Sequence, residues 1–295
     1  MSTSERTGAS GPIDPELSID AVHLAVAELP RSIDFYERTL GLPLIAREQG
    51  EALLGPDAQR PALRLSEVSD PVPLPVRATG LFHVAWLHPT RAALAATIRR
   101  VAAARWPFTG ASDHGVSEAL YLNDPDGLGI EIYADRPRER WRRSEDGSIA
   151  MVTLPLDVDD LLAQWLEDPS EVIEPGSSVG HVHLKVSDVP RSEAFYRDTL
   201  GFEEQAQIPS AAFLSAGGYH HHLGLNSWQS AGAAAAPAHA PGLREVRFRL
   251  GRAGLEGLES RIAASAEGAR PSHAEDGSVL VRDPDGQLLS FTAGG

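Results

Sequence analysis

The sequence predicts an α+β fold built from four βαβββ modules that form two sheets. Two repeats and one periodicity point there. VHLAVAELPRSIDFYERTLGL, from Val22, returns without a gap as VHLKVSDVPRSEAFYRDTLGF, from Val182. YLNDPDGLGIEIYA, from Tyr121, is echoed by LVRDPDGQLLSFTA, from Leu280. Around these landmarks apolar residues alternate singly, as in strands, and then recur at helical spacing. A return of this length marks a tandem duplication, and the two echoes divide each half into two modules.

Each element follows from local chemistry. Val22-His23-Leu24-Ala25-Val26 alternates and opens the first module as a strand. Pro30 to Leu40 reads as a helix of about three turns, with Gly41 as its C-terminal stop. The second module has its helix from about Pro89 to Ala104, then strands around Ala119–Leu122 and Gly129–Ala134. In Asp-Pro-Asp-Gly the proline sets φ, the aspartate caps and the glycine takes positive φ, so this tetrapeptide turns a hairpin. Modules begin near Ile19, Gly80, Gly180 and Gly242.

Residues 1–17 are expected to form a disordered tail, small and polar, without the apolar stretch of a signal peptide. Residues 18–135 hold the first two modules, 136–179 a linker, and 180–295 the last two. Within the linker, Arg136–Arg143 is basic and solvated, and Met151–Trp165 adds a strand and a short helix. Ala231–Pro241 is a flexible loop by composition.

Composition excludes whole classes of function. The 295 residues are 42% hydrophobic and 23% charged, a globular balance. Only 6% are aromatic, so Leu, Val and Ala fill most of the core. A net charge of −15 argues against nucleic acid or an anionic membrane as partner. The absence of cysteine excludes disulfides, iron–sulfur clusters and thiol nucleophiles, and makes a reducing cytoplasm the simplest address. No apolar run approaches the ~18 residues of a membrane helix.

Strand alternation then sorts the polar groups. In the third module Val182, Leu184 and Val186 pack toward the helix, which leaves His181, His183 and Lys185 on the opposite face. The same rule exposes His23 opposite Val22, Leu24 and Val26, and His83 opposite Phe82, Val84 and Trp86. Ile130 and Ile132 leave Glu131 and Tyr133 on the second face; Leu120 and Leu122 leave Tyr121 there. Leu223 and Leu225 place His220 and His222 on the same side, with His221 toward the helix or a strand edge. Of eleven histidines, seven (His23, His83, His114, His181, His183, His220 and His222) thus lie on or beside these polar faces. Neutral imidazoles with one carboxylate are the ligand set of Fe(II), Mn(II) and related ions, and two His plus one carboxylate leave open positions.

These residues carry a family resemblance. Paired βαβββ modules with such a face resemble the vicinal oxygen chelate superfamily, which includes glyoxalases, bleomycin resistance proteins and extradiol dioxygenases. DHGVSEALYLNDPDGLGIEIYADRP resembles the signature of extradiol ring-cleaving dioxygenases: His114, five residues, Leu120, Tyr121, then Asp124, Pro125, Gly127 and Glu131. Ser112 departs from the residue types usual two positions before the His. With GLFHVAW and GGYHHHLGLN, the chain from about residue 18 onward is similar to bacterial catechol-2,3-dioxygenases.

The resemblance implies two glyoxalase/extradiol-dioxygenase-like sheets and an oxidoreductase of aromatic compound catabolism. Such an enzyme would insert O2 into a catechol at an Fe(II) centre, with Mn(II) accepting the same ligands. Glu131 and His83 would be ligands, and a partner module would bring the second imidazole from its first strand. His183 of the third module is favoured over His23 of the first. Only the third module adds His220 and His222 near its last strand, one of them as acid–base group, where the first has Arg64. His114 and Tyr121 would hydrogen-bond substrate and reactive oxygen. In the fourth module Glu245 and Ser290 replace His83 and Glu131, so it cannot build the same triad. Two other activities remain open for this fold: a metal-dependent lyase or isomerase, and a metal-free protein that sequesters small aromatic drugs. Trp141 and Trp165 are candidates for an interface between copies.

Overall fold

The computed structural model describes residues 11–145, 147–165, 167, 170–265 and 270–294. The first module comprises β1 (Ser18–Val26), β2 (Leu44–Glu48), β3 (Glu51–Leu54) and β4 (Leu63–Glu67). The second comprises β5 (Gly80–His88), β6 (Phe108–Asp113), β7 (Ser117–Asn123) and β8 (Gly129–Asp135). The third has β9 (Ser178–Lys185), β10 (Glu203–Ile208), β11 (Ala211–Ser215) and β12 (Leu223–Asn226). The fourth has β13 (Gly242–Leu250), β14 (Ser272–His273), β15 (Val279–Arg282) and β16 (Leu288–Ala293). Each module's helix follows its first strand: α1 (Leu29–Asp34), α2 (Arg91–Ala103), α4 (Val189–Ala194) and α5 (Arg252–Ala264), with α3 (Val158–Leu162) in the linker.

Helices α1 and α4 widen into π-helical turns over Phe35–Thr39 and Phe195–Leu200, so the three-turn helix read from sequence is present but not uniform. The turns end at Gly41 and Gly201, whose φ of 77° and 87° only glycine adopts without strain.

Two eight-stranded sheets result, in the orders β14-β15-β16-β13-β1-β4-β3-β2 and β10-β11-β12-β9-β5-β8-β7-β6. Within a module the first strand runs parallel to the last, as in β5 with β8 and β9 with β12. Between modules the first strands meet antiparallel: β5 with β9, and β1 with β13. The second module therefore shares a sheet with the third, and the first with the fourth.

The Asp-Pro-Asp-Gly turns tie the two sheets together. Asp126 accepts from the Ala27 N–H (2.8 Å) and pairs with Arg31, while Tyr36 donates to Asp124 (3.2 Å). The second copy repeats this with Ser187 N–H to Asp285 (3.0 Å) and Tyr196 to Asp283 (2.9 Å). Each turn thus braces the helix start of the module before it, which lies in the other sheet.

Residues 11–17, assigned by sequence to the disordered tail, are packed instead. Ile13 and Leu17 are buried, and the Ile13 N–H donates to the Gly201 carbonyl (2.7 Å). Two apolar side chains in a polar segment suffice to hold it on the core; residues 1–10 lie outside the described residues. The linker is anchored too: Ile149, Leu161 and Ile173 are buried, and Arg100 donates to the carbonyls of Ser170 (2.7 Å) and Val172 (2.8 Å). Its predicted helix is α3, while its predicted strand reduces to one bridge between Leu154 and Asp113. Among the described residues no helix is long and apolar enough to cross a membrane.

Candidate metal centre

The register across the second sheet builds the site. Tyr121 lies opposite Glu131, Glu131 opposite Ala85, and Ala85 opposite His181. His83, two residues before Ala85 and so on the same face, lies opposite His183. The methyl of Ala85 leaves a gap between the larger side chains on either side, and they lean into it. Glu131 Oε2 lies 3.0 Å from His83 Nε2 and 3.2 Å from His181 Nε2. These three residues are buried, and their ligand atoms lie within 4.8 Å of one another.

Their electrostatics suit a cation. Burial alone raises the Glu131 carboxyl pKa, but His181 and His83 beside it bring it well below its ordinary value. Burial lowers His181 to about 4 against the opposing pull of Glu131, which leaves a neutral imidazole at neutral pH. Burial, then His83 and His181, hold His183 well below its usual value. Metal binding needs this protonation state: ionised carboxylate, neutral imidazoles. His83 Nε2 is buried 3.0 Å from Glu131 Oε2 and makes no other close polar contact among the described residues. Imidazole nitrogens and a carboxylate oxygen this close together in a buried site are satisfied together by one metal ion. The donor set therefore fits a divalent cation.

The structure brings His181, not His183, to Glu131. The module repeat that aligns Val22-His23 with Val182-His183 drew attention to His183. The alignment that finds the closer residue sets Phe82-His83-Val84 against Gly180-His181-Val182, because β5 and β9 are the strands that meet. His183 remains at the site, its ring centroid 5.0 Å from that of His83 and its Nε2 buried without a hydrogen-bond partner among the described residues. It lies over Gly224, where a Cβ would stand 2.8–2.9 Å from the ring. His23 is in the other sheet, with Nε2 2.8 Å from Ser66 Oγ and Arg64 and Glu245 as strand partners.

His114 and Tyr121 meet. His114 Nδ1 donates to the Val152 carbonyl (2.8 Å), so a neutral ring accepts the Tyr121 hydroxyl at Nε2 (2.7 Å). Burial, then Glu131, raise the Tyr121 pKa far above its ordinary value, so the phenol stays protonated.

The triple histidine departs from the alternation read in sequence. Strand β12 begins only at Leu223, and His220–His222 precede it as irregular chain after Gly217 and Gly218, both at positive φ. His221 consequently turns toward the centre, its ring 4.1 Å from that of His181 and 5.1 Å from Phe213, rather than toward the helix. His220 is fully buried, with Nε2 2.9 Å from Asp135 Oδ1 and Nδ1 2.7 Å from His221 Nδ1. His222 accepts the Ala216 N–H at Nδ1 (3.2 Å), and burial lowers its pKa to about 3. It borders a cavity of about 360 Å³ with Ser18, Gly180 and Arg138. Trp141, an interface candidate by sequence, packs its ring 5.3 Å from His220 and 6.0 Å from Tyr219.

Comparison with known proteins follows the same lines. The pattern of the Glyoxalase/Bleomycin resistance protein/Dioxygenase superfamily matches residues 18–132 and 178–291. A Bacillus subtilis (strain 168) protein named catechol-2,3-dioxygenase is 41% identical over 234 residues, which span 78% of this chain and 82% of that one. Among solved structures, a B. subtilis subsp. subtilis str. 168 protein provisionally named a dioxygenase superposes with a TM-score of 0.64 at 14% identity, covering 96% of this chain and 86% of that one. Glyoxalase I from Zea mays superposes at 0.56 and 16% identity, covering 94% of this chain and 92% of that one. Both structural likenesses speak to the fold.

Proposed function

This chain belongs to the Glyoxalase/Bleomycin resistance protein/Dioxygenase superfamily, and we propose that it is an extradiol dioxygenase that inserts O2 beside the hydroxyls of a catechol-type diol. The observation that carries the reading is the convergence of His83, His181 and Glu131 from two modules on one buried point. A relative 41% identical and named for this activity supports it. Fe(II) is the proposed metal, with Mn(II) accepting the same ligands. When bound, the ion supplies Lewis acidity and a template for both reactants.

The chain's own groups would do the rest. The Tyr121 hydroxyl, whose proton His114 accepts, lies beside Glu131 and would orient a diol oxygen. Asp135 accepts the His220 Nε2 proton, so a neutral His220 offers its Nδ1 as acceptor to the His221 Nδ1–H. His221 then keeps a lone pair on Nε2 and would take a proton from the diol and return it, the acid–base role that sequence assigned to His220 or His222. His183, a neutral imidazole whose buried Nε2 makes no hydrogen bond among the described residues, would contact the substrate. The burial of these groups would exclude water from the reacting centre.

Metal analysis of the purified protein, followed by oxygen uptake with catechol and appearance of a yellow ring-opened product, tests the reading. Metal retention without oxygen uptake on a panel of diols would favour a lyase or isomerase. A metal-free protein that still binds aromatic ligands would favour sequestration.

A further inference from the structure

Between the two sheets, where β5 and β13 begin, lies a cavity of about 50 Å³ that the chemistry above does not use. Among the described residues its wall is apolar except for Thr79, Lys185, Arg244 and Gln287, with no carboxylate. Lys185 is 8% exposed and makes no ion pair among the described residues. Arg244 gives Nη2 to the carbonyls of Ala238 (2.8 Å) and Ala240 (2.7 Å) and likewise pairs with no acid among the described residues. The Thr79 hydroxyl is buried without a hydrogen-bond partner among the described residues, in a residue only 2% exposed.

A largely buried ammonium in a small cavity without a counter-charge is expensive, because its desolvation is not repaid. The chain is not short of acids: it carries 41 Asp and Glu against 26 Lys and Arg. The loops over the cavity are pinned rather than loose. The Thr79 N–H donates to Ala234 O (3.0 Å), and Val72 N–H to His239 O (3.0 Å). Composition alone made Ala231–Pro241 a flexible loop, whereas here Ala235, Ala236 and Pro241 line the cavity.

We propose that this cavity binds a small inorganic anion, of chloride to bicarbonate size, between the Lys185 ammonium and the Arg244 guanidinium, with the Thr79 hydroxyl as a further donor. Lys185 belongs to β9 of one sheet and Arg244 to β13 of the other, so the anion clamps the two sheets together. The proposal does not depend on the metal centre.

Thermal unfolding of the full-length protein tests it, with sodium chloride, bromide or bicarbonate replacing sodium gluconate at constant ionic strength. The expected result is a rise in Tm that saturates with anion concentration and disappears in Lys185→Met and Arg244→Met. A response to bicarbonate but not to halides identifies an oxyanion as occupant. No rise, a rise that never saturates, or an equal rise in both variants overturns the proposal. Should either variant fail to fold, wild-type crystals soaked separately in bromide and in bicarbonate decide: an anomalous peak or oxyanion density between Lys185 and Arg244 supports the site, and the absence of both refutes it.

Discussion

Arg247 occupies in the first sheet the register position that Ala85 occupies in the second. Ala85 lies between Glu131 and His181, and Arg247 between Ser290 and Ala21. In one sheet a methyl leaves a gap edged by two imidazoles and a carboxylate. In the other a guanidinium fills that position itself, 3.1 Å from Asp276 and 3.5 Å from Glu245. The duplication has thus left one place open to a cation and one where a side chain supplies the positive charge. The protein should retain one equivalent of Fe(II) per chain after gel filtration, as read by elemental analysis; two equivalents would show that Arg247 does not keep the first sheet free of metal.

The ligand set separates from its surroundings by substitution. Glu131→Ala and His181→Ala should each weaken metal retention by at least about tenfold, whereas His183→Ala should keep the metal and raise KM for the diol. The check is metal content against competing chelator, with steady-state kinetics on the same samples. Loss of metal in His183→Ala with retention in His181→Ala would restore the ligand set expected from sequence.

The modules were legible because duplication writes them twice: the Val22 and Val182 segments and the two Asp-Pro-Asp-Gly turns mark both the period and the hairpins. Strand alternation also placed His83, Glu131, Tyr121 and His183 on one face correctly. What it did not resolve is which face-sharing histidine meets Glu131, because that depends on register between β5 and β9, and bulges at Leu81/His83 and Ala85/Trp86 shift it. His221 escaped for a different reason: a period of two applies only within a strand, and β12 starts one residue after the histidines end. The burial of Ile13 and Leu17 was hidden by the polar residues around them.

The chain Asp135–His220–His221 makes its own prediction. Asp135→Asn exchanges an acceptor for a group that also donates, so His220 is free to adopt the other tautomer and His221 loses its fixed proton position. We expect kcat to fall by roughly 10²-fold or more, in line with loss of a positioned general base, while metal content stays unchanged. His221→Gln should show the same split. Full kcat in both variants would remove His221 from proton transfer.

Gly224 tests how tightly His183 is seated. A methyl there would come within 2.8–2.9 Å of the imidazole, and the ring lies among Phe82, Phe213 and Trp228. Gly224→Ala should therefore cost about 1–3 kcal/mol of stability, the usual range for overpacking. Denaturant unfolding measures it, and an unchanged midpoint would mean that His183 has room to move.

Asp124 links stability to pH. Its carboxylate accepts the N–H groups of Asp126 (2.8 Å) and Leu128 (2.8 Å) and the Tyr36 hydroxyl (3.2 Å), yet burial pushes its pKa up to about 7. In the unfolded chain the same group titrates near 3.9, roughly three units lower. The folded state therefore holds the proton more firmly. Its contribution to stability is fully present below about pH 4 and is lost as pH rises toward 7, after which it is flat. Asp124→Asn keeps the oxygen that the two N–H groups need but cannot ionise. The stability of the wild type relative to Asp124→Asn should fall across this window by roughly 4 kcal/mol at most. Urea unfolding of both proteins at about pH 4.5, 6 and 8, two points inside the ~3.9 to ~7 window and one above it, reads the difference. A constant gap would show that the turn carries an ionised carboxylate throughout, held by its three donors against the cost of burial.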